Sequence, residues 1–372
     1  MTRDDVVLLT GYPSLIARAV CAELLSSDPK TRVTAIVRGK FLGDARASRD
    51  EMPAERRKRL RFLEGDAAAI DLGLSGTEWK TLARDVTRIQ HCAQVTYLGV
   101  DRKTAEHLNV DGTMEVLELA RACEKLECLV VHSTAHVAGN RRGVVLEEEL
   151  EKGQGFRTVV EETKARSEKL ARAAAEKVPI VVVRPSTIVG DSRTGEVDRF
   201  DGPYLLVLLV VTSPPELALP LPGRGDEPLN LVPIDWVARA SVALGRSPDA
   251  IGKTFHLVDP DPPSARRVFE LVARAGGRRG PRGSIPANLA KALLRAPGLD
   301  RIAKSPRAFL ETLTTPVSYD ARNTAALLPA LGVDPCPAFE SYVDKLVEYV
   351  QERVRQRRAS RQAEMEAPDP LG

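Results

Sequence analysis

Short apolar segments alternate with longer amphipathic ones through the first half of the chain, and this alternation limits the fold more than any other feature. Residues 6–10 (Val-Val-Leu-Leu-Thr) read as a continuous apolar strand with Gly11 directly after it. Residues 15–26 read as a helix that stops at a polar Ser-Ser-Asp-Pro. Further strands are expected at residues 33–37, 60–63, 88–93, 129–132 and 180–183. Residues 38–61 are charged and irregular, a surface helix and loop. Residues 103–125 carry Leu108, Val110, Met114, Leu117 and Leu119 at helical spacing. Strands separated by helices of this length imply βαβ units joined right-handedly into a mostly parallel sheet. The expected fold is therefore α/β: a doubly wound nucleotide-binding sheet in residues 1–200, of Rossmann type.

After Gly195 the texture changes. Prolines gather at 203, 214, 215, 220, 222 and 228, and the alternation becomes irregular. Residues 229–237 return as a strand and helix start with Asp235 placed as N-cap, and residues 255–258 read as a late strand. Residues 229–258 thus return in part to the first domain, and residues 201–350 form a smaller, mostly C-terminal α/β substrate-binding region. Residues 273–286 are rich in glycine and arginine and read as a flexible loop. Residues 339–362 read as one helix, and residues 351–372 as its basic end and a disordered tail.

Composition narrows the partners. The balance of 54 basic against 51 acidic side chains leaves +3, and aromatics are only 4%, so no nucleic-acid partner is expected. The five cysteines show no CxxC pairing and read as buried, reduced thiols of a cytoplasmic protein. Five histidines without metal-ligand spacing predict no metal site. Residues 1–5 lead directly into a strand and leave no room for a signal peptide, and the longest apolar run, 204–211, is well short of the ~20 residues of a membrane span.

The turn Thr10-Gly11-Tyr12-Pro13-Ser14-Leu15-Ile16-Ala17 sits between first strand and first helix, where a dinucleotide fold seats its pyrophosphate. The segment Arg184-Pro185-Ser186-Thr187-Ile188-Val189-Gly190-Asp191-Ser192-Arg193-Thr194-Gly195-Glu196 follows the apolar strand 180–183. It resembles the RPxxxxGDSRTGE segment of extended short-chain dehydrogenases/reductases, on the branch that includes thioester reductases and fatty acyl-CoA reductases. The turn is similar to the TGxxGxxG loop of that family, with Gly11 in the first glycine position, Ser14 in the second and Ala17 in the third. Serine in the middle place, where a glycine-only conformation is at issue, is expected to weaken cofactor binding. The resemblance implies a cofactor site built from Thr10, Gly11, Ser14, Leu15, Ile16, Arg38, Asp66, Cys92, Ala93, Lys164 and Pro185. Arg38, at the end of the second strand, favours the 2′-phosphate of NADP over NAD.

The same resemblance extends to the catalytic groups. That family uses Ser/Thr to bind the carbonyl, Tyr to deliver the proton and, four residues later, Lys, which lowers the phenol pKa and holds the nicotinamide ribose. His132-Ser133-Thr134-Ala135-His136-Val137-Ala138-Gly139 and Glu161-Glu162-Thr163-Lys164 match the family segments, giving Thr134 and Lys164. The tyrosine position is Val160, and valine cannot donate a proton. Three readings stay open. The protein is a pseudoenzyme that binds a nucleotide or ligand as a regulatory or interaction protein. Alternatively Lys164, or a water it holds, is the acid. Or a phenol from elsewhere, Tyr97 or Tyr204, fills the gap. On the substrate side the resemblance points to His136, Arg193 and Tyr204, with Arg184 and Arg199 nearby. If active, the chain is expected to use NADP(H) to reduce an aldehyde, ketone or acyl thioester, with a small-molecule or acyl/lipid-type substrate. A homodimer and peripheral lipid contact are compatible with the sequence.

Overall fold

The computed structural model describes residues 5–97, 99–198, 200, 202–212, 221–285 and 316–366. Seven strands form one parallel sheet: β1 (Val6–Thr10), β2 (Arg32–Val37), β3 (Leu60–Glu64), β4 (Arg88–His91), β5 (Cys128–His132), β6 (Ile180–Pro185) and β7 (Thr254–Leu257). Their spatial order is 7-6-5-4-1-2-3, so the strand order reverses between β1 and β4. Ligands of such sheets bind beyond the carboxyl ends of the strands at that reversal.

Successive strand residues feed opposite faces, as the two-residue period requires. Leu8, Ile36, Ile89, Leu129, Val131 and Val182 pack on one face with α2 (Gly76–Asp85), α3 (Gly112–Ala122) and α4 (Val159–Ala174). Val7, Leu9, Val33, Ala35 and Val37 pack on the other with α1 (Leu15–Ser27), and Val130, Val181, Val183 and Phe255 with α5 (Ile234–Arg246). Each fully buried Val, Leu, Ile or Phe contributes roughly 1.5–3 kcal/mol relative to exposure. Two-sided burial is the reason these strands read as apolar runs.

The chain falls into two compact units. One comprises residues 1–188, 230–260 and 315–336, the other residues 189–229, 261–314 and 337–372. In the second, the apolar helix Tyr204–Thr212 has contacts with helices Ala265–Ala275 and Val343–Glu366. Pro233, not Asp235, occupies the cap position of α5; Asp235 lies in its first turn. The region read as a glycine/arginine loop holds the end of helix Ala265–Ala275 and a short strand, Ser284–Ile285. Arg199 and residues 367–372 lie outside the described residues. No helix among the described residues is long and apolar enough to cross a membrane.

Within the first unit, residues 316–336 are fastened to the rest by the buried Glu147 carboxylate. It accepts from the backbone N–H of His256 (2.9 Å) and Asn323 (2.7 Å) and from the Thr324 hydroxyl (2.9 Å). Strand Val317–Tyr319 pairs in parallel with Gly143–Val145.

A second buried carboxylate, Glu168 on α4, is fully enclosed with Arg184 of β6. Arg184 Nη2 donates to Glu168 Oε1 at 2.7 Å, Arg172 Nε at 2.8 Å, and the Ser133 hydroxyl donates to Oε2 at 2.6 Å. Burial pushes this carboxyl up, but the two guanidinium groups and the hydroxyl together hold it below the ordinary value. Removing one member of such a pair strands a charge in the interior. Arg184→Met is therefore expected to destabilise the fold by about 3–5 kcal/mol in urea unfolding. The double variant with Glu168→Leu is expected to recover most of that loss; a negligible cost for the single variant would contradict the pairing.

Candidate active site

The turn after β1 is fixed by a close approach. Gly11 has φ +90°, and a Cβ there would lie 2.7 Å from the Cys92 carbonyl and the Ala93 nitrogen. Only glycine lets the β1–α1 turn cross the end of β4 at this distance. Ser14 behaves differently from what its place in the motif suggested. It has φ −57° and ψ 155°, an ordinary extended conformation, so the serine carries no backbone strain. Its side chain is exposed at the N-cap of α1 and makes no capping bond. Leu15 opens the helix, and Ile16, partly buried, packs its side chain against the clusters beneath. Tyr12 turns inward, its hydroxyl 3.0 Å from Ser48 Oγ.

Arg38 follows β2, half-buried, with its guanidinium 5.1 Å from the centre of the Phe41 ring. Lys40 Nζ lies 5.0 Å from the same ring. After β3, Asp66 turns its carboxylate to the Ala68 N–H (3.1 Å) and its own N–H to the Leu72 carbonyl (2.8 Å). Cys92 is buried, and burial pushes its thiol far above the ordinary value.

A chain of buried hydrogen bonds links the end of β1 to α4, and its protons can be assigned. The Thr113 hydroxyl donates to the Asn109 carbonyl (2.8 Å), so Ser167 Oγ, 2.7 Å away, donates to Thr113. His91 Nε2 also donates to Thr113 Oγ1 (3.1 Å), which leaves Nδ1 to accept from the Thr10 hydroxyl (2.9 Å). Thr10 Oγ1 in turn accepts from the Ala93 N–H (3.1 Å). Burial, reinforced by Lys164, lowers the His91 pKa to about 3, consistent with this neutral tautomer. Thr10 thus acts on protein groups, tying β1 to β4.

Lys164 meets the other end of the chain. The Thr158 hydroxyl caps α4 by accepting from the Glu161 N–H (3.1 Å) and sets the helix register. Val160, Lys164, Ser167 and Ala171 then recur at helical spacing and are all buried. Lys164 Nζ donates to Gln94 Oε1 (2.6 Å), the His132 carbonyl (2.9 Å) and, at 3.5 Å, the Ser133 carbonyl. Its acceptors in direct contact are neutral, and burial lowers the ammonium pKa to about 8 despite Glu168 further off.

Thr134 directly follows Ser133. Its hydroxyl is 3.4 Å from the Pro185 carbonyl and accepts from the His136 N–H (3.2 Å). His136 Nε2 lies 3.2 Å from Thr187 Oγ1, and burial followed by Arg157 lowers its pKa to about 4. Thr134, His136, Pro185 and Lys164 therefore gather at the carboxyl ends of β5 and β6. Val160 sits in an apolar cluster with Val95, Val100 and Ala105, against which Tyr97 packs. In the second unit, Tyr204 is buried and its hydroxyl accepts from the Gly190 N–H (2.7 Å), while Arg193 is exposed and pairs with Asp191 at 3.4 Å. Sequence reading missed Gln94, Thr113 and Ser167. The available signals were a polar residue directly after Cys92-Ala93 and a serine three positions beyond Lys164. Among the described residues, no group of three or more His, Cys, Asp or Glu side chains could hold a metal ion.

The lowered Lys164 pKa carries a stability signature. Between about 8 and the ordinary 10.5, the unfolded chain holds a proton that the folded chain has released. Stability then rises with pH across that window. Relative to Lys164→Met, the wild-type urea midpoint is expected to climb from pH 8 towards 10 and run parallel below about pH 7. Parallel profiles throughout would show an unperturbed lysine.

Comparison with known proteins agrees with this fold. The chain matches the NAD-binding family described as "Male sterility protein" over residues 9–241. It is 23% identical to the fatty acyl-CoA reductase wat of Drosophila melanogaster over 281 residues, covering 65% of this chain and 54% of that protein. It is 24% identical to the L-2-aminoadipate reductase large subunit of Penicillium chrysogenum, covering 68% of this chain and 19% of that one. The chain thus spans about half the length of the first of these relatives and about a fifth of the second. Among solved structures, the terminal R domain of the myxalamid PKS-NRPS pathway shares the fold, with TM-score 0.78, 24% identity and coverage of 95% of this chain and 92% of that one. The reductase domain of a nonribosomal peptide synthetase from Mycobacterium tuberculosis does so with TM-score 0.71 and 23% identity, covering 94% and 92%. Seven parallel strands, a glycine turn at the strand reversal and a family match across most of the sheet make this chain a member of the male sterility protein family, an extended short-chain dehydrogenase/reductase with an NAD(P)-binding domain like those of thioester and acyl-CoA reductases.

Proposed function

We propose that this chain is an NADP(H)-dependent reductase of aldehyde, ketone or acyl-thioester carbonyls with slowed, non-standard proton delivery. The observation that carries the reading is the placement of Lys164 against the backbone just before Thr134 at the end of β5, with a buried valine one turn before the lysine. Lys164 Nζ touches the carbonyls of the two residues that precede Thr134. The remaining residues suit a dinucleotide. The Gly11 turn leaves no room for a side chain against β4, and Ser14 is unstrained at the helix N-terminus, where phosphate is favoured. Arg38 and Lys40 set two cations beside one ring after β2, which favours a 2′-phosphate.

When bound, the dinucleotide supplies hydride to a carbonyl carbon. The chain itself has to orient the carbonyl and bring a proton to its oxygen. Thr134 orients, since its hydroxyl has only a long bond to Pro185 to give up. Lys164 is the proton source: an ammonium brought to about 8 is a far better acid at neutral pH than an ordinary lysine. A positioned phenol normally supplies about 10²–10⁴ in rate, and Val160 forgoes it.

The rival reading is a non-catalytic ligand-binding protein on the same scaffold. It is favoured by the apolar cluster that fills the surroundings of Val160. Val160→Tyr separates the two. On the first reading NADPH oxidation with a long-chain aldehyde or acyl-CoA rises by about 10²–10⁴ over a measurable wild-type rate. NADPH binding without turnover in either protein supports the second. A wild-type rate that Tyr97→Phe abolishes would instead make Tyr97 the donor.

A further inference from the structure

We propose that Gln94 is an internal latch on Lys164: its side-chain carbonyl occupies the ammonium in place of a cofactor hydroxyl, and a dinucleotide binds fully only by displacing it. The proposal rests on the cofactor reading above, joined to the ribose-holding role that the family resemblance implies for Lys164.

The geometry of Gln94 argues for a built contact. Its Oε1 accepts from Lys164 Nζ at 2.6 Å, the shortest bond the lysine makes. An ammonium has donors only, so the amide oxygen must be the atom that faces it. The amide nitrogen faces Ser167 Oγ at 3.1 Å and Thr113 Oγ1 at 3.5 Å. Both hydroxyl protons are already committed, Ser167's to Thr113 and Thr113's to Asn109, and Thr113 also accepts from Ser167 and His91, so it is the Ser167 oxygen that accepts from the amide. The orientation of Gln94 is therefore fixed from both ends.

The remaining lysine donors are also engaged. With Gln94 at 2.6 Å, the His132 carbonyl at 2.9 Å and the Ser133 carbonyl at 3.5 Å, the three N–H groups have three protein acceptors. Two of these are backbone at the end of β5 and cannot leave without unmaking the strand. Gln94 lies in the irregular segment after β4 and is only half-buried, so it is the acceptor able to yield. A ribose hydroxyl that takes the lysine must replace this charge-assisted bond, which reduces its net gain. Loss of Gln94 leaves Ser167 and Thr113 bonded to each other, so its removal does not open the buried chain.

Calorimetric titration of the full chain with NADPH tests the latch. Gln94→Ala, which removes the competitor, is expected to bind about tenfold or more tightly than wild type, the scale of one hydrogen bond to a charged group. Gln94→Glu, which strengthens the competitor, is expected to bind about tenfold or more weakly. A second readout needs no cofactor. In ¹³C-lysine-labelled protein the Lys164 titration midpoint, about 8 in wild type, is expected to move up in Gln94→Glu because a carboxylate now faces the ammonium. Equal or weaker NADPH affinity in Gln94→Ala, with wild type binding, overturns the latch and leaves the cofactor reading standing. An unmoved Lys164 midpoint in Gln94→Glu overturns it as well. Absence of NADPH binding in all three proteins overturns the cofactor reading, and the latch with it.

Discussion

A parallel sheet covered by helices on both faces has no wet side, and this constraint organises the first unit. Every side chain from Val7 to Leu9, and their counterparts on β5 and β6, points into a hydrocarbon layer. Polar chemistry is displaced to the strand ends, where backbone carbonyls run out of sheet partners. There, at the carboxyl ends of β1, β4, β5 and β6, stand Thr10, His91, Gln94, His132, Ser133, Thr134 and Pro185. The site is thus a consequence of the layer architecture, and the reversal of strand order opens the place for it.

Two charges on α4, one helical turn apart, are treated in opposite ways. Glu168 is met by two guanidinium groups and a hydroxyl and stays ionised although no water reaches it. Lys164 is met at close range by a side-chain amide and two backbone carbonyls. Neutral dipoles only partly replace water, so the lysine yields its proton more readily. The first arrangement is that of a structural rivet. The second leaves a group whose charge responds to its surroundings, which suits the candidate site and not the core.

Much of this was legible in the residues. The apolar runs marked the sheet strands because two-sided burial admits nothing else, and the glycine after Thr10 marked the crossing turn. The four-residue spacing between Val160 and Lys164 put both on one buried helix face. Other features were not legible because they depend on long-range placement. Gln94 reads as an ordinary polar residue until Ser167 and Thr113, contributed by two different helices, fix its amide. Ser14 reads as a fault in the turn until its dihedrals prove ordinary. Asp235 has the chemistry of a cap, but the chain enters α5 through Pro233, two residues earlier.

Glu147 brings in a different dimension, the order in which the chain is made. Its carboxylate is buried beside the edge strand β7 and draws partners from Asn323 and Thr324, some 180 positions downstream. Until those residues have left the ribosome, the Glu147 carboxyl has, of these three partners, the His256 N–H alone. This edge of the nucleotide-binding unit is therefore completed only after residues 189–229 and 261–314 of the second unit have been made.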